Sequence, residues 1–173
     1  MLYVPAKYSH DLCFDREHVL LMYRIGSRLF TGDLWVGIGG HFEDGEMSDP
    51  RKCVLRELKE ETGLNPYNIT DLALKYITTR KVGEEIRQQY IFTAELNRER
   101  RANLCAAADE GELSWIPLSD LFTKKMTFSN TVCLKHYLST GKFDDAVYSV
   151  VADPDGASPF ACITALKEYK NDR

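Results

Sequence analysis

Residues 39–64 read G-G-H-F-E-D-G-E-M-S-D-P-R-K-C-V-L-R-E-L-K-E-E-T-G-L, and this stretch decides the fold. Phe42 to Ser48 carries Gly, Asp and Glu with no apolar periodicity, so it is a loop. Asp49-Pro50 follows as a helix start, with Asp at the N-cap and Pro at the first helical position. Cys53, Val54, Leu55 and Leu58 recur at helical spacing, and Gly63 stands where a left-handed C-terminal cap belongs. The spacing predicts a helix over 50–62, entered from a glycine-rich strand end at Gly37-Ile38-Gly39-Gly40.

Glu57, Glu60 and Glu61 are three and four residues apart on that helix, so all three are expected on one side. They repel one another, and they sit in the last two turns, where the helix dipole disfavours negative charge. Water, paired cations (Arg56 and Lys59 are at hand) or a metal ion relieve such a cluster. Glycine backbone approaching closely supplies carbonyl oxygens, Glu43 and Glu46 add acid from the loop, and an all-oxygen ligand set suits Mg²⁺. On the repulsion argument, Gln at any of the three helix positions has a small or favourable effect on stability.

Working outward, His10–Phe14 and Val19–Tyr23 are apolar-rich runs around Asp15-Arg16-Glu17, which reads as a hairpin. Trp35–Ile38 is a third short run. Leu72–Thr79 and Ile86–Leu96 flank Val82-Gly83-Glu84-Glu85 as a second hairpin, and Leu113–Ile116 is a strand ended by Pro117. Residues 97–109 are polar and charged. Ser129–Thr140 carries Val132, Cys133, His136 and Tyr137 at helical spacing and stops at Gly141. Ala146–Val151 and Phe160–Leu166 are strand-like runs around Asp153-Pro154-Asp155-Gly156, a turn and not a Ca²⁺ loop, because no glutamate follows at the required position. Strands outnumber helices, which predicts an α+β or α/β sandwich with a mixed sheet.

A chain of 173 residues suits one domain with at most a short appendage. With 44% apolar and 28% charged residues it has the material for a core. The balance of 22 Lys+Arg against 26 Asp+Glu, net −4, argues against a nucleic-acid-binding module, and an anionic ligand then needs a local cationic feature. No window has the length and apolarity of a membrane span, and Met1 to Ser9 lacks the layout of a secretion signal. Cys13, Cys53, Cys105, Cys133 and Cys162 are scattered and odd in number, and read as buried free thiols of a cytoplasmic protein.

The Gly39–Leu64 stretch resembles the Nudix box, G-x5-E-x7-R-E-U-x-E-E-x-G-U with U a bulky aliphatic. Gly40 and Glu46 satisfy the first part; Arg56, Glu57, Leu58, Glu60, Glu61, Gly63 and Leu64 satisfy the second. Nine residues, Met47 to Leu55, stand where the pattern has seven, an insertion at the loop-to-helix junction that bears on the Glu46–Arg56 contact alone. The resemblance extends to the V-L-L-M-Y-R strand, the W-x-G-x-G-G segment at 35–40, and E-G-E-L-S-W-I-P at 110–117. It implies a Nudix α/β/α sandwich over 1–141, with 142–173 a C-terminal hairpin extension packed on the same domain.

The resemblance also implies a metal-dependent hydrolase that cleaves the pyrophosphate of a nucleoside diphosphate linked to another moiety. Within the family it is similar to the MutT-like branch, which acts on nucleoside triphosphates such as 8-oxo-dGTP. A nucleotide-sugar, ADP-ribose or dinucleoside-polyphosphate pyrophosphatase and a non-catalytic nucleotide-sensing module are the alternatives. Mg²⁺ or Mn²⁺ is the implied cofactor, held by Glu57, Glu60, Glu61, a carbonyl of Gly39 or Gly40, and Glu110 or Glu112. Arg56 would hold a catalytic carboxylate and Glu46 would orient Arg56. The partner is a small nucleotide, with no nucleic-acid polymer and no membrane, and the protein a monomer or homodimer. The branch places base recognition at the start of the second helix, at Phe128 and Asn130, with Ser129 or Asn130 as a plain helix cap the competing reading. Arg24 is a candidate for substrate phosphate; Trp35 reads as core, and His41, in place of the branch's lysine, as a loop residue.

Overall fold

A computed structural model describes residues 6–25, 33–96, 111–153 and 159–167. Nine strands and two helices follow in the order β1 (Ala6–Asp15), β2 (His18–Arg24), β3 (Leu34–Val36), β4 (Ile38–His41), α1 (Pro50–Thr62), β5 (Ile69–Val82), β6 (Glu85–Leu96), β7 (Glu112–Pro117), α2 (Phe128–Ser139), β8 (Tyr148–Asp153) and β9 (Phe160–Ala165). The continuous apolar run Val19–Met22 is buried throughout, as expected of a strand covered on both faces. Leu20 and Met22 join the core beneath α1 with Cys13, Val54, Leu58 and Phe92. Val19 and Leu21 join the core on the other face with Leu12, Phe14, Ile91 and the α2 residues Cys133 and Leu134. Period-two alternation thus builds two cores from one sheet, and the α/β/α sandwich follows.

The sheet is mixed, in the order β3-β2-β1-β6-β5-β8-β9. β1 runs parallel to β6 along one edge; its other edge is divided between β4 at Tyr8–Asp11 and β2 at Phe14–Asp15. β7 pairs with β2. Helix α1 spans 50–62 as the spacing predicts, closed by Gly63 at φ 74, whose amide donates to the Lys59 carbonyl. Asp49 makes no side-chain capping bond, contrary to expectation; Pro50 at the first helical position does the starting.

The second hairpin is longer than its apolar pattern, because pairing carries β5 on to Val82, opposite Glu85. The C-terminal hairpin extends the main sheet: β8 runs parallel to β5 and β9 forms the edge. Lys75, buried at 5% exposure, ties the preceding segment down, donating to Asp144 Oδ1 at 3.1 Å and to the Ala146 carbonyl at 3.2 Å. Tyr148 donates to the other oxygen of Asp144 at 2.6 Å. Cys13, Cys53 and Cys133 are buried free thiols, but Cys162 is exposed because β9 is an edge strand. Cys105, the polar stretch 97–109, Glu110 and the turn after Asp153 lie outside the described residues. Among the described residues no helix is long and apolar enough to cross a membrane.

Candidate active site

Helix α1 brings its basic and acidic residues under the β4 glycines, and Arg56 is the hub. Its Nε donates to Glu46 Oε1 at 2.9 Å and its Nη2 to Glu46 Oε2 at 3.0 Å, a bidentate pair. The longer junction therefore leaves the Glu46–Arg56 contact intact. Nη1 reaches Glu57 Oε1 at 2.7 Å and Glu60 Oε2 at 3.0 Å, and Nη2 also reaches the His41 carbonyl at 3.0 Å. The guanidinium holds the buried Glu46 carboxyl down at about 2, assisted by the Glu43 amide at 2.8 Å. Glu46 in turn raises Arg56. Cys53, packed beneath, is pushed up to about 12 by burial and then by the Glu46 charge, so it stays a thiol.

Glu61 lies buried, accepting from the Gly39 amide at 2.8 Å and from Arg24 Nη2 at 3.2 Å. Glu57 lies against β4 so closely that a Cβ on Gly40 would stand 2.7 Å from its Cδ. Glu60 differs: its side chain is 57% exposed, on the outer flank of Arg56. Glu57 and Glu61 lie against the glycines, and Glu60 shares the Arg56 Nη1 with Glu57. Arg24 pairs with Glu61, and Arg56 pairs with Glu57 and Glu60, which counters part of their repulsion.

A cavity of about 400 Å³ opens beside Glu57. Gly39, Gly40, Arg56 and Glu57 form one wall, with Arg24 and Phe42 beside them. The start of α2 forms another, through Thr127, Ser129 and Asn130. Thr127 is the helix cap, its hydroxyl accepting from the Asn130 amide at 3.3 Å, so neither Ser129 nor Asn130 has that task. Asn130 is 4% exposed and its Oδ1 is buried with no hydrogen-bond partner among the described residues. Phe128 is half-buried and off the cavity wall, whereas Phe42 lines it, edge-on to Tyr90 at 5.5 Å. Trp35 packs against the α2-side core, as a core tryptophan should.

The third wall is one that motif reading misses. Thr78 and Arg80 of β5 and Arg87 and Gln89 of β6 face the cavity from paired positions. Their signal was the long β5–β6 pairing, which puts residues on either side of the turn opposite each other.

The donor set fits a divalent cation: carboxylates of Glu57 and Glu61, with Glu60 a turn away, and the strand of Gly39 and Gly40, whose missing Cβ leaves room for the Glu57 carboxylate. Among the described residues no three acidic, His or Cys side chains converge on one point, and the carboxylates are engaged by Arg24 and Arg56. Glu112 is an exposed residue of β7, off the cavity wall.

The sequence profile of the NUDIX domain matches residues 12–137, so the chain belongs to the Nudix family. It is a pyrophosphohydrolase of that family, acting on nucleoside diphosphate derivatives. Solved structures share the fold at low identity. The mMutator MutT protein from Bacillus halodurans matches with a TM-score of 0.65 at 22% identity, over 91% of this chain and 97% of that one. A C. elegans Ap4A hydrolase binary complex matches with a TM-score of 0.63 at 16% identity, over 78% and 96%. The NUDIX domain of Shewanella oneidensis NrtR, complexed with ADP ribose, matches with a TM-score of 0.61 at 19% identity, over 80% and 89%.

Proposed function

We propose that this chain hydrolyses the pyrophosphate of a nucleoside triphosphate in the manner of the MutT-like branch, with Mg²⁺ or Mn²⁺ held by Glu57, Glu60, Glu61 and a β4 carbonyl. The bound ion supplies charge neutralisation at the phosphate oxygens and an acidified water. Of the three helix carboxylates, Glu57 is on the cavity wall, and in this reading it takes the proton of the attacking water. The new bond joins that water oxygen to phosphorus, and the bridging P–O bond breaks. Arg56 orients Glu57, Glu46 fixes Arg56, and Arg24 holds Glu61 and faces the phosphates. Because the water must lose a proton, activity favours alkaline pH.

Asn130 carries the assignment to a nucleobase. A buried amide oxygen without a partner costs about 1–3 kcal/mol unless a ligand donates to it. An amide offers a donor and an acceptor together, which matches a purine edge. Phe42 supplies the aromatic wall in place of Phe128.

The test is product release in Mg²⁺ from a panel of nucleoside triphosphates, including 8-oxo-dGTP, alongside ADP-ribose, UDP-sugars and diadenosine tetraphosphate. The triphosphates should turn over fastest, and EDTA should abolish it. Asn130→Ala should raise KM for the preferred base by about tenfold and flatten discrimination, leaving kcat near normal. Unchanged base preference would remove Asn130 from the site; fastest turnover of ADP-ribose or a UDP-sugar would replace the triphosphate reading.

A further inference from the structure

We propose that the outer edge of β9 is a self-association surface, through which two copies of this chain join their sheets about a twofold axis at Ile163. Among the described residues no strand pairs with that edge. Open edges are ordinarily blunted by shortness, charge, proline or a covering segment. The opposite edge of the sheet is blunted in this way: β3 has three residues, and Trp35 donates its amide to the Lys125 carbonyl and bridges to Met126. β9 is different. Its six residues, F-A-C-I-T-A, include no charge and no proline.

The β8–β9 ladder says which backbone groups of β9 point outward. The Leu166 amide donates to the Val147 carbonyl, a pair that continues the register of Tyr148 opposite Ala165. In an antiparallel ladder, alternate residues direct both of their backbone groups at the partner strand. Phe160, Cys162, Thr164 and Leu166 therefore face β8, while Ala161, Ile163 and Ala165 present N–H and C=O to the outside. A second β9 running antiparallel about Ile163 satisfies all three: Ala161 pairs with Ala165, Ile163 with its own copy, and Ala165 with Ala161. Pro159, which has no N–H, ends the ladder. Sliding the partner until Cys162 faces its own copy would set Pro159 against Ala165 and lose a bond.

The side chains agree with that register. Ala161 and Ile163 pack on the α2-side core, so the uncovered face of β9 carries Phe160, Cys162 and Thr164. The twofold sets Phe160 opposite the partner's Leu166, and Cys162 opposite the partner's Thr164. Phe160 is 53% exposed and Leu166 48%, with Val151, opposite Cys162 on β8, at 50% on the same face. Charge is complementary as well. Asp153 stands opposite Phe160 at one end of the hairpin and Lys167 follows Leu166 at the other, so each copy's basic end meets the other's acidic end. An edge that is its own complement under a twofold fits a second copy of this chain, and such a pairing closes at two. A ladder of this length is at the small end of specific interfaces, so the dimer is a weak one.

Sedimentation equilibrium on the full chain, from about 1 μM to about 1 mM, tests this. The mass should rise from monomer to dimer and stop there, with a Kd on the order of 10⁻⁵–10⁻⁴ M. Ala161→Pro removes an outward N–H and spares every bond to β8, so it should weaken the dimer about tenfold. Phe160→Lys, at an exposed position, should weaken it by a similar factor of about ten with the melting temperature unchanged, and stands in should the proline disturb the strand. Cross-linking reads the register. In a Cys105→Ser background, the chain is mixed with its Cys162→Ser/Thr164→Cys variant, which places one thiol on each side of the pair of positions 162 and 164. Directly opposed Cα atoms there are about 4.5 Å apart, within reach of a disulfide. Like positions are diagonal neighbours about 7–8 Å apart, too far for one. Diamide should therefore link the mixture into a covalent dimer and leave either protein alone monomeric on a non-reducing gel. A monomer at every concentration, a mass that grows past the dimer, or a dimer that both variants leave intact overturns the proposal. Cross-linking of either protein alone as fast as the mixture overturns it too, because the axis would then lie elsewhere.

Discussion

Glu57→Gln lowers kcat by about 10²–10⁴-fold, the range for losing a general base or metal ligand. The amide fills the same space beside Gly40 and still accepts from Arg56, so the fold persists and the melting temperature moves little. What is lost is the charge and the basicity. A second variant reaches the same carboxylate from the other side. Gly40 is outside the left-handed region, so alanine there meets no backbone strain. Its Cβ would nevertheless stand 2.7 Å from Glu57 Cδ, too close for both to stay. The side chain is the flexible partner and swings away, so Gly40→Ala should also lose most of the rate with little loss of stability. Steady-state kinetics with melting curves on both variants decide the matter. Turnover within about tenfold of native in both would remove Glu57 from the chemistry.

The box was legible in the sequence because its residues are neighbours on one helix and its loop: helical spacing relates Arg56 to Glu60 and Glu57 to Glu60 and Glu61, and the resemblance to the Nudix box implies the contacts of Arg56 with Glu46 and a catalytic carboxylate. Contacts that depend on tertiary pairing were not legible. Arg24 meets Glu61 across 37 positions, because β2 and α1 pack on the same face. Arg80 lies beyond the apolar run 72–79, and only the ladder that continues to Val82 sets it opposite Arg87. Spacing does not tell how the three carboxylates divide: Glu60 is exposed beside Arg56, while Glu57 and Glu61 lie against the glycines. At the start of α2 the sequence left the cap between Ser129 and Asn130, whereas Thr127 caps, Asn130 is buried with its amide oxygen, and Phe42 rather than Phe128 lines the cavity. A side chain's environment, unlike its position on a helix, belongs to elements far away in the chain.

Arg56→Met should destabilise the protein by about 3–5 kcal/mol, because it removes one partner of a buried ion pair and strands the other. Glu46, 8% exposed, loses both of its guanidinium bonds, and Glu57 and the His41 carbonyl lose theirs. For a chain of this length the melting temperature falls by about 6–20 °C at neutral pH. Arg56→Lys recovers little, since an ammonium does not reproduce the two parallel bonds to Glu46. The pH dependence separates this cause from general damage to the helix. Glu46 titrates at about 2 when folded, against about 4.3 in an unfolded chain. A depressed carboxyl stabilises the fold above its unfolded pKa, and that contribution fades as pH falls from about 4.3 towards 2. The native protein loses it in that window, while the Met variant, with no guanidinium to hold Glu46 ionised, has none to lose. The gap between the two melting temperatures should therefore narrow as the pH is lowered from 5 to 2.5. A gap that stays constant across that range would mean the Glu46–Arg56 pair is not what the substitution broke, and the hub would have to be sought in Glu57 and Glu60 instead.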